Sequence, residues 1–271
     1  MRRQQTIRDE ILWEGIGIHT GVPVSMRLLP SPEDTGVVFL HHGRTIPAAL
    51  RNLSSATRST NLSSESITIY TIEHILAALY AMEIDNAVIE LSAPEPPVMD
   101  GSALPFAEGI RETGTLQQGK DIKIIPLPHS IESASGEIKI TARPCEGFKI
   151  SYFMDYPDAP FMKQEFHVEL TPEIFLKEIA PARTFATASE VKGIIEAGLA
   201  RGGSYENAVV IEENATSSPL RFPEEPARHK VLDIIGDFAL LQGRLQAHIT
   251  AVRTGHAQNH ALLREIAEKI Y

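Results

Sequence analysis

The chain runs through one order of elements twice, and that order limits the folds open to it. Residues 5–52 alternate apolar and polar positions in short runs broken by turns: "TIRDEILWEGIGIHTG", "VPVSMRLLP", "GVVFL", "TIPAALRNL". Period two marks half-buried strands. A helical stretch "TIEHILAALYAM", a strand "NAVIELSA" and a helix "ALPFAEGIRETG" follow. Strand patterns then resume in "IKIIPL", "EIKITARP", "FKISYFMDY" and "QEFHVEL". They give way to helices at "TPEIFLKEIA" and "ASEVKGIIEAGLA", a strand "NAVVIEE", the helix "RHKVLDIIGDFALL", a strand "AHITAVRTG" and a last helix "AQNHALLREIAEKI". Thr171 and Pro172 are expected to start the first of these helices as N-cap and first helical residue. Identity between the halves is too low to establish a repeat, but the shared order predicts an α+β fold of two similar domains, each a sheet packed on helices, with a cleft between them. The glycine-containing stretch 113–121, which lacks apolar periodicity, is the expected linker; it separates a domain over 1–118 from one over 122–271.

Composition narrows the function. With 43% hydrophobic and 22% charged residues, the 271-residue chain is an ordinary globular protein. Its 25 basic and 35 acidic residues leave a net charge of −10, which opposes broad nucleic-acid binding. Local Lys or Arg residues can still hold an anionic small molecule. The single cysteine, Cys145, excludes an internal disulfide framework and a CxxC metal site. Acidic residues interrupt the N-terminal segment, so no signal peptide is expected, and no apolar run reaches the ~20 residues that span a bilayer. A cytoplasmic address is the expectation, with no obligate protein partner evident.

Two glycine-rich stretches fail as nucleotide loops. "GTLQQGKD" ends on Asp121 where a phosphate loop needs Ser or Thr, and its helix-then-strand context is inverted. "GIGIHTG" has its third glycine one residue late, with a strand after it, so it reads as a hairpin that carries His19.

The helix "RHKVLDIIGDFALL" carries more information. Val231, Leu232, Ile234, Ile235, Phe238, Ala239 and Leu241 cover a broad apolar face, and the narrow remainder holds His229, Lys230, Asp233, Gly236 and Asp237. A solvated stripe is the common explanation for polar residues on a helix. Solvated stripes favour Glu, Lys, Arg and Gln, however, whereas Asp and Gly are poor helix-interior residues. Short side chains and a glycine fit a surface that something approaches closely.

His229 and Asp233 stand four apart, one turn from each other on the same face. An imidazole and a carboxylate so placed can occupy two positions on a divalent metal; a hydrogen bond across the helix surface is the plainer alternative. A catalytic zinc takes a third protein ligand and leaves one position for water. Among ten histidines, His74 in "YTIEHILAAL" is the best third ligand, because an N-cap at Thr71 puts Glu73 and His74 in a helix's first turn. Glu73, beside that ligand, can accept a proton from water, and His256 after the turn in "VRTGHAQNH" can donate one to a departing amine. Asp237, one turn beyond Asp233, can hold His256 cationic.

Taken together, "GIGIHTG", "TIEHILAAL", "IDNAVIEL", "PPVMDGSALPF", "ARTF", "GLARGGSYENAVV", "RHKVLDIIGD" and "TGH" resemble the UDP-3-O-acyl-N-acetylglucosamine deacetylases, zinc hydrolases of lipid A synthesis, and the resemblance runs over almost the whole chain. It implies two similar α+β domains with the active site at their interface and a UDP-linked acylated amino sugar as substrate. One Zn2+ per chain is implied on His74, His229 and Asp233, ligands that also suit Fe2+. Glu73 matches the general base, His256 the group serving the leaving nitrogen, and Asp237 its charge partner. Thr184 matches a hydroxyl at the oxyanion and Lys230 a lysine near the diphosphate. His19 and Phe185 match residues that line the site, and Tyr156 an aromatic that stacks on uracil. The resemblance also implies an insert at about 188–211 that forms a passage for the acyl chain, with Val191, Ile194, Leu199, Ala208 and Val210 as its wall. A zinc hydrolase of another amide, or a two-domain binding protein without activity, would share many of these features.

Overall fold

A computed structural model of the protein describes residues 2–54, 58–65, 67–155, 162–213 and 215–270. The first half comprises β1 (Arg3–Ile7), β2 (Ile11–Ile16), β3 (Pro23–Pro30), β4 (Val37–His41), β5 (Arg44–Pro47), β6 (Leu53–Ser54), β7 (Asn61–Ser64) and β8 (Ile67–Ile69). It continues with α1 (Glu73–Ala81), β9 (Ala87–Leu91), α2 (Leu104–Thr113) and β10 (Thr115–Asp121). The second comprises β11 (Ile124–Pro126), β12 (Ile131–Ser135), β13 (Ile138–Pro144), β14 (Phe148–Met154), β15 (Gln164–Glu169) and α3 (Pro172–Ile174). After these come β16 (Phe185–Thr187), α4 (Ala188–Glu196), β17 (Val209–Ile211), α5 (Glu225–Phe238), β18 (Arg244–Val252) and α6 (His256–Ile270). The hydroxyl of Thr171 accepts from the Ile174 amide at 3.2 Å, the cap expected for α3.

The two halves are built alike. One sheet has strand order β2-β3-β9-β4-β5 and the other β12-β13-β18-β14-β15. In each, the strand that follows the long helix inserts between the second and third strands. β9 runs antiparallel to β3 and parallel to β4, and β18 runs antiparallel to β13 and parallel to β14. A parallel neighbour demands a crossover, and α1 and α5 lie within the two crossovers. The doubled order in the sequence is thus a doubled topology. Alternation places Val24, Met26 and Leu28 of β3, and Leu245, Ala247, Ile249 and Ala251 of β18, in one buried core that spans both halves.

The stretch expected to be a linker is a strand. β10 pairs antiparallel with β1, from Arg3 opposite Asp121 to Ile7 opposite Thr115. Its residues are exposed or half-buried throughout, so backbone pairing holds it and no apolar alternation reveals it. No helix among the described residues is long and apolar enough to cross a membrane.

α1 and α5, the corresponding helices of the two halves, pack against each other. Gly236 lies at their closest approach: a Cβ there would stand 2.1 Å from the Glu73 carbonyl oxygen. The glycine in the polar stripe thus serves contact between the helices, because any larger side chain there would meet the Glu73 backbone.

Candidate active site

The stripe on α5 is not solvated. His229, Asp233 and Asp237 are all buried beneath α1. His74, His229 and Asp233 each offer a ligand atom, and these atoms lie within 4.8 Å of one another. One comes from the first turn of α1 and two from α5, so the cluster exists only where the halves meet. The His74 and His229 rings stand edge to face at 5.0 Å. Nδ1 of His229 lies 3.0 Å from the Ala182 carbonyl, which fixes the proton on that nitrogen and leaves the Nε2 lone pair facing Asp233 Oδ1 at 3.4 Å. Burial, reinforced by His229, pulls the His74 imidazole down to about 3, and burial also lowers His229, so both rings are neutral, as a metal ligand must be. Asp233 is ionised: burial pushes its carboxyl up, but Lys230, together with the cationic His256, outweighs this and holds it below the ordinary range. Lys230 Nζ donates to Asp233 Oδ2 at 3.0 Å. Two neutral imidazoles and one carboxylate, with His229 oriented by the Ala182 carbonyl and Asp233 by Lys230, form a donor set that fits a divalent metal.

A second group adjoins the first. Glu73 is buried, with Oε2 accepting from the Thr60 amide at 3.0 Å and Oε1 at 3.7 Å from His256 Nε2. Burial raises its carboxyl to about 7, with His256 countering, so it exchanges a proton near neutrality. His256 opens α6 and turns Nδ1 to both oxygens of Asp237, at 3.1 and 3.0 Å. Burial lowers the His256 imidazole, but Asp237, Asp233 and Glu73 more than reverse this and raise it to about 10. The pair is a base and a cationic acid facing each other.

Sequence reasoning missed the residues that hold this pair. Thr60, fully buried, donates its hydroxyl to Asp237 Oδ1 and lies within 3.1 Å of His256 Nδ1 and 2.9 Å of His260 Nε2. Asn259 donates to Asp237 Oδ2 at 2.8 Å. Asn259 and His260 follow His256 by three and four positions, so helical spacing from His256 was the signal that would have found them. Thr60 stands in a loop and gave no such signal. Thr71 is not the N-cap of α1. Ile72 occupies that position, while Thr71 adopts φ of +53° and donates its hydroxyl to Glu95 at 2.8 Å. Glu73 and His74 occupy the first turn as expected.

A cavity of about 130 Å³ opens beside the cluster, lined by His19, Glu73, His74, Thr184, Phe185 and Ile194 among others. Ala208 lines it too, whereas Val191 and Leu199 are half-buried on α4 and in the turn after it, and Val210 is half-buried on β17. No residue of α4 is fully buried, so the helix rests on the molecule by one partly covered face. Tyr156 lies outside the described residues. Lys230 Nζ sits 5.3 Å from the centre of the Phe185 ring, which in turn meets His229 edge to face at 6.2 Å.

A family model described as LpxC, UDP-3-O-acyl N-acetylglycosamine deacetylase, matches residues 4–268. The chain belongs to that family. UDP-3-O-acyl-N-acetylglucosamine deacetylase of Chlamydia abortus is 41% identical over 273 residues, covering 98% of this chain and 98% of the relative. The enzyme of the same name from Thermodesulfovibrio yellowstonii is 38% identical over 268 residues, 98% of this chain and 92% of the relative. That from Anaeromyxobacter sp. is 38% identical over 267 residues, 97% of this chain and 88% of the relative. In this chain the buried His74, His229 and Asp233, and the adjoining Glu73 and His256, lie together at the junction of the halves.

Proposed function

We propose that the protein hydrolyses the acetamide of UDP-3-O-acyl-N-acetylglucosamine, releasing acetate and the free amine, with zinc held by His74, His229 and Asp233. The observation that carries this reading is convergence: three metal-binding atoms within 4.8 Å of one another adjoin a carboxylate and an imidazole 3.7 Å apart. A divalent ion held by His74, His229 and Asp233 would supply Lewis acidity, lowering the pKa of water and polarising the acetyl carbonyl. Glu73, raised by burial to about 7, accepts the proton of the attacking water as the C–O bond forms. Thr184, at the cavity wall, donates to the developing oxyanion. His256, held cationic by Asp237, delivers its proton to the sugar nitrogen as the C–N bond breaks. Atoms balance: the proton on Glu73 returns to His256 and the new carboxylic acid gives its proton to the amine, so the amide and one water become acetate and an ammonium group.

Lys230, which donates to Asp233, is assigned to the diphosphate as a point charge. His19 and Phe185 orient the sugar. The insert at about 188–211 passes the acyl chain, with Ile194 and Ala208 on the cavity and Val191, Leu199 and Val210 beyond it. Tyr156 is assigned to the uracil. The two domains divide at 118–122, and the reaction belongs to the cytoplasm, where UDP-activated sugars are handled. Iron(II) suits the same ligands.

Metal content and acetate release from the purified protein test the reading. The UDP-linked substrate should turn over and the same sugar without UDP should not; equal turnover of both would reassign the enzyme to another amide. Glu73→Gln should keep its metal and lose about 10²–10⁴-fold in kcat.

A further inference from the structure

Glu95 is a fully buried carboxylate that takes no part in the chemistry above. It accepts four hydrogen bonds from two separate segments. Oε1 accepts from the His19 amide at 3.1 Å and the Thr71 hydroxyl at 2.8 Å; Oε2 accepts from the Thr20 amide at 2.9 Å and the Thr20 hydroxyl at 2.7 Å. His19 and Thr20 belong to the hairpin that borders the cavity. Thr71 precedes α1 by two residues, at a positive φ that a β-branched residue adopts only when its surroundings hold it there. Glu73 and His74 are the next side chains but one and two. The hairpin is shaped around the same carboxylate: a Cβ on Gly17 would lie 2.2 Å from Glu95 Oε2.

We infer that Glu95 is a positioning residue, one charge that fixes both the cavity hairpin at His19 and the entry of α1, and so sets the placement of Glu73 and His74. The inference rests on the deacetylase reading of the site. A carboxylate suits the task because four donors need four lone-pair directions and no donor in return. The neutral amide of Glu95→Gln would turn an N–H towards donors on one side, releasing either Thr71 or Thr20.

The test compares Glu95→Gln, Glu95→Ala, Thr71→Ala and Thr71→Ser as folded, metal-loaded enzyme, by kcat, KM and the visible spectrum of the cobalt(II)-substituted protein. A displacement of about 1 Å at the reacting groups costs about 100-fold in rate. Glu95→Gln should therefore lose on the order of 10–100-fold in kcat, raise KM, and alter the cobalt spectrum through His74. Thr71→Ala should reproduce the loss of kcat and the altered spectrum with KM little changed, and Thr71→Ser should restore both. A residue that only supports folding would lower the melting temperature while leaving kcat per folded, loaded site and the cobalt spectrum as in wild type. That pattern in Glu95→Gln overturns the inference, and the Gln variant decides it if Glu95→Ala does not fold. Were wild type to bind cobalt stoichiometrically yet release no acetate, the deacetylase reading would fall, and the cobalt spectra would still judge Glu95.

Discussion

Gly236→Ala is the smallest change that separates the site from the fold. The added Cβ would lie 2.1 Å from the Glu73 carbonyl oxygen, 2.8 Å from its carbon and 2.9 Å from its Cα, all rigid backbone atoms. Real Cβ contacts essentially never fall below 3.0 Å, so α1 and α5 must part by about 0.9 Å. Overpacking of this kind costs about 1–3 kcal/mol, and replacing a helix-interior glycine by alanine returns about 1 kcal/mol. The net loss of about 0–2 kcal/mol lowers the melting temperature by no more than about 8 °C for a chain of this size. The site feels the displacement undiluted, because His74 and Glu73 ride on α1 while His229 and Asp233 ride on α5. A shift near 1 Å predicts a kcat lower by about 100-fold, or about 2.7 kcal/mol in the barrier, with weakened metal affinity. Steady-state acetate release, thermal melting and metal titration on the same preparation measure all three. If Gly236→Ala kept kcat within about twofold of wild type, the helix contact would not set the site's geometry.

Asp237→Asn removes the charge that holds His256 cationic and should reduce kcat by about 10²–10⁴-fold, with metal content unchanged; loss of metal instead would make Asp237 a ligand-shell residue. Glu225 accepts from the Arg183 amide at 3.0 Å and from its guanidinium at 2.8 and 3.1 Å, a buried pair that closes the turn before α5. Burial pushes its carboxyl up, but Arg183 and the Arg221 amide more than reverse this and hold it below the ordinary range. Its contribution is therefore full above the unfolded value near ~4.3 and fades as pH falls through the lower folded value. Glu225→Gln should cost about 3 kcal/mol at pH ~7 in urea melts and progressively less below pH ~4. A gap that stayed constant with pH would contradict the assignment.

How much was legible in the sequence depended on whether packing or hydrogen bonding did the specifying. The doubled topology was legible because strands and helices bury apolar faces with fixed periods, and α5 was legible because its polar residues were of the wrong kind for solvent. Gly236 and Asp237 gained their meaning from that anomaly. β10 was not legible, since a ribbon held by backbone pairing needs no apolar side chain. Thr60 and Glu95 were not legible either: each is a single buried polar residue in a loop, whose partners stand far away in sequence. Thr71 misled because its hydroxyl, next to a helix start, serves a tertiary bond to Glu95 in place of the cap.

Anomalous scattering at the zinc edge, from crystals of protein purified without added metal, puts the account to its most direct trial. One peak per chain is expected, about 2.0–2.2 Å from a nitrogen of His74, Nε2 of His229 and an oxygen of Asp233. A peak bound by other residues, or His74 and α5 holding no common ion, would contradict it.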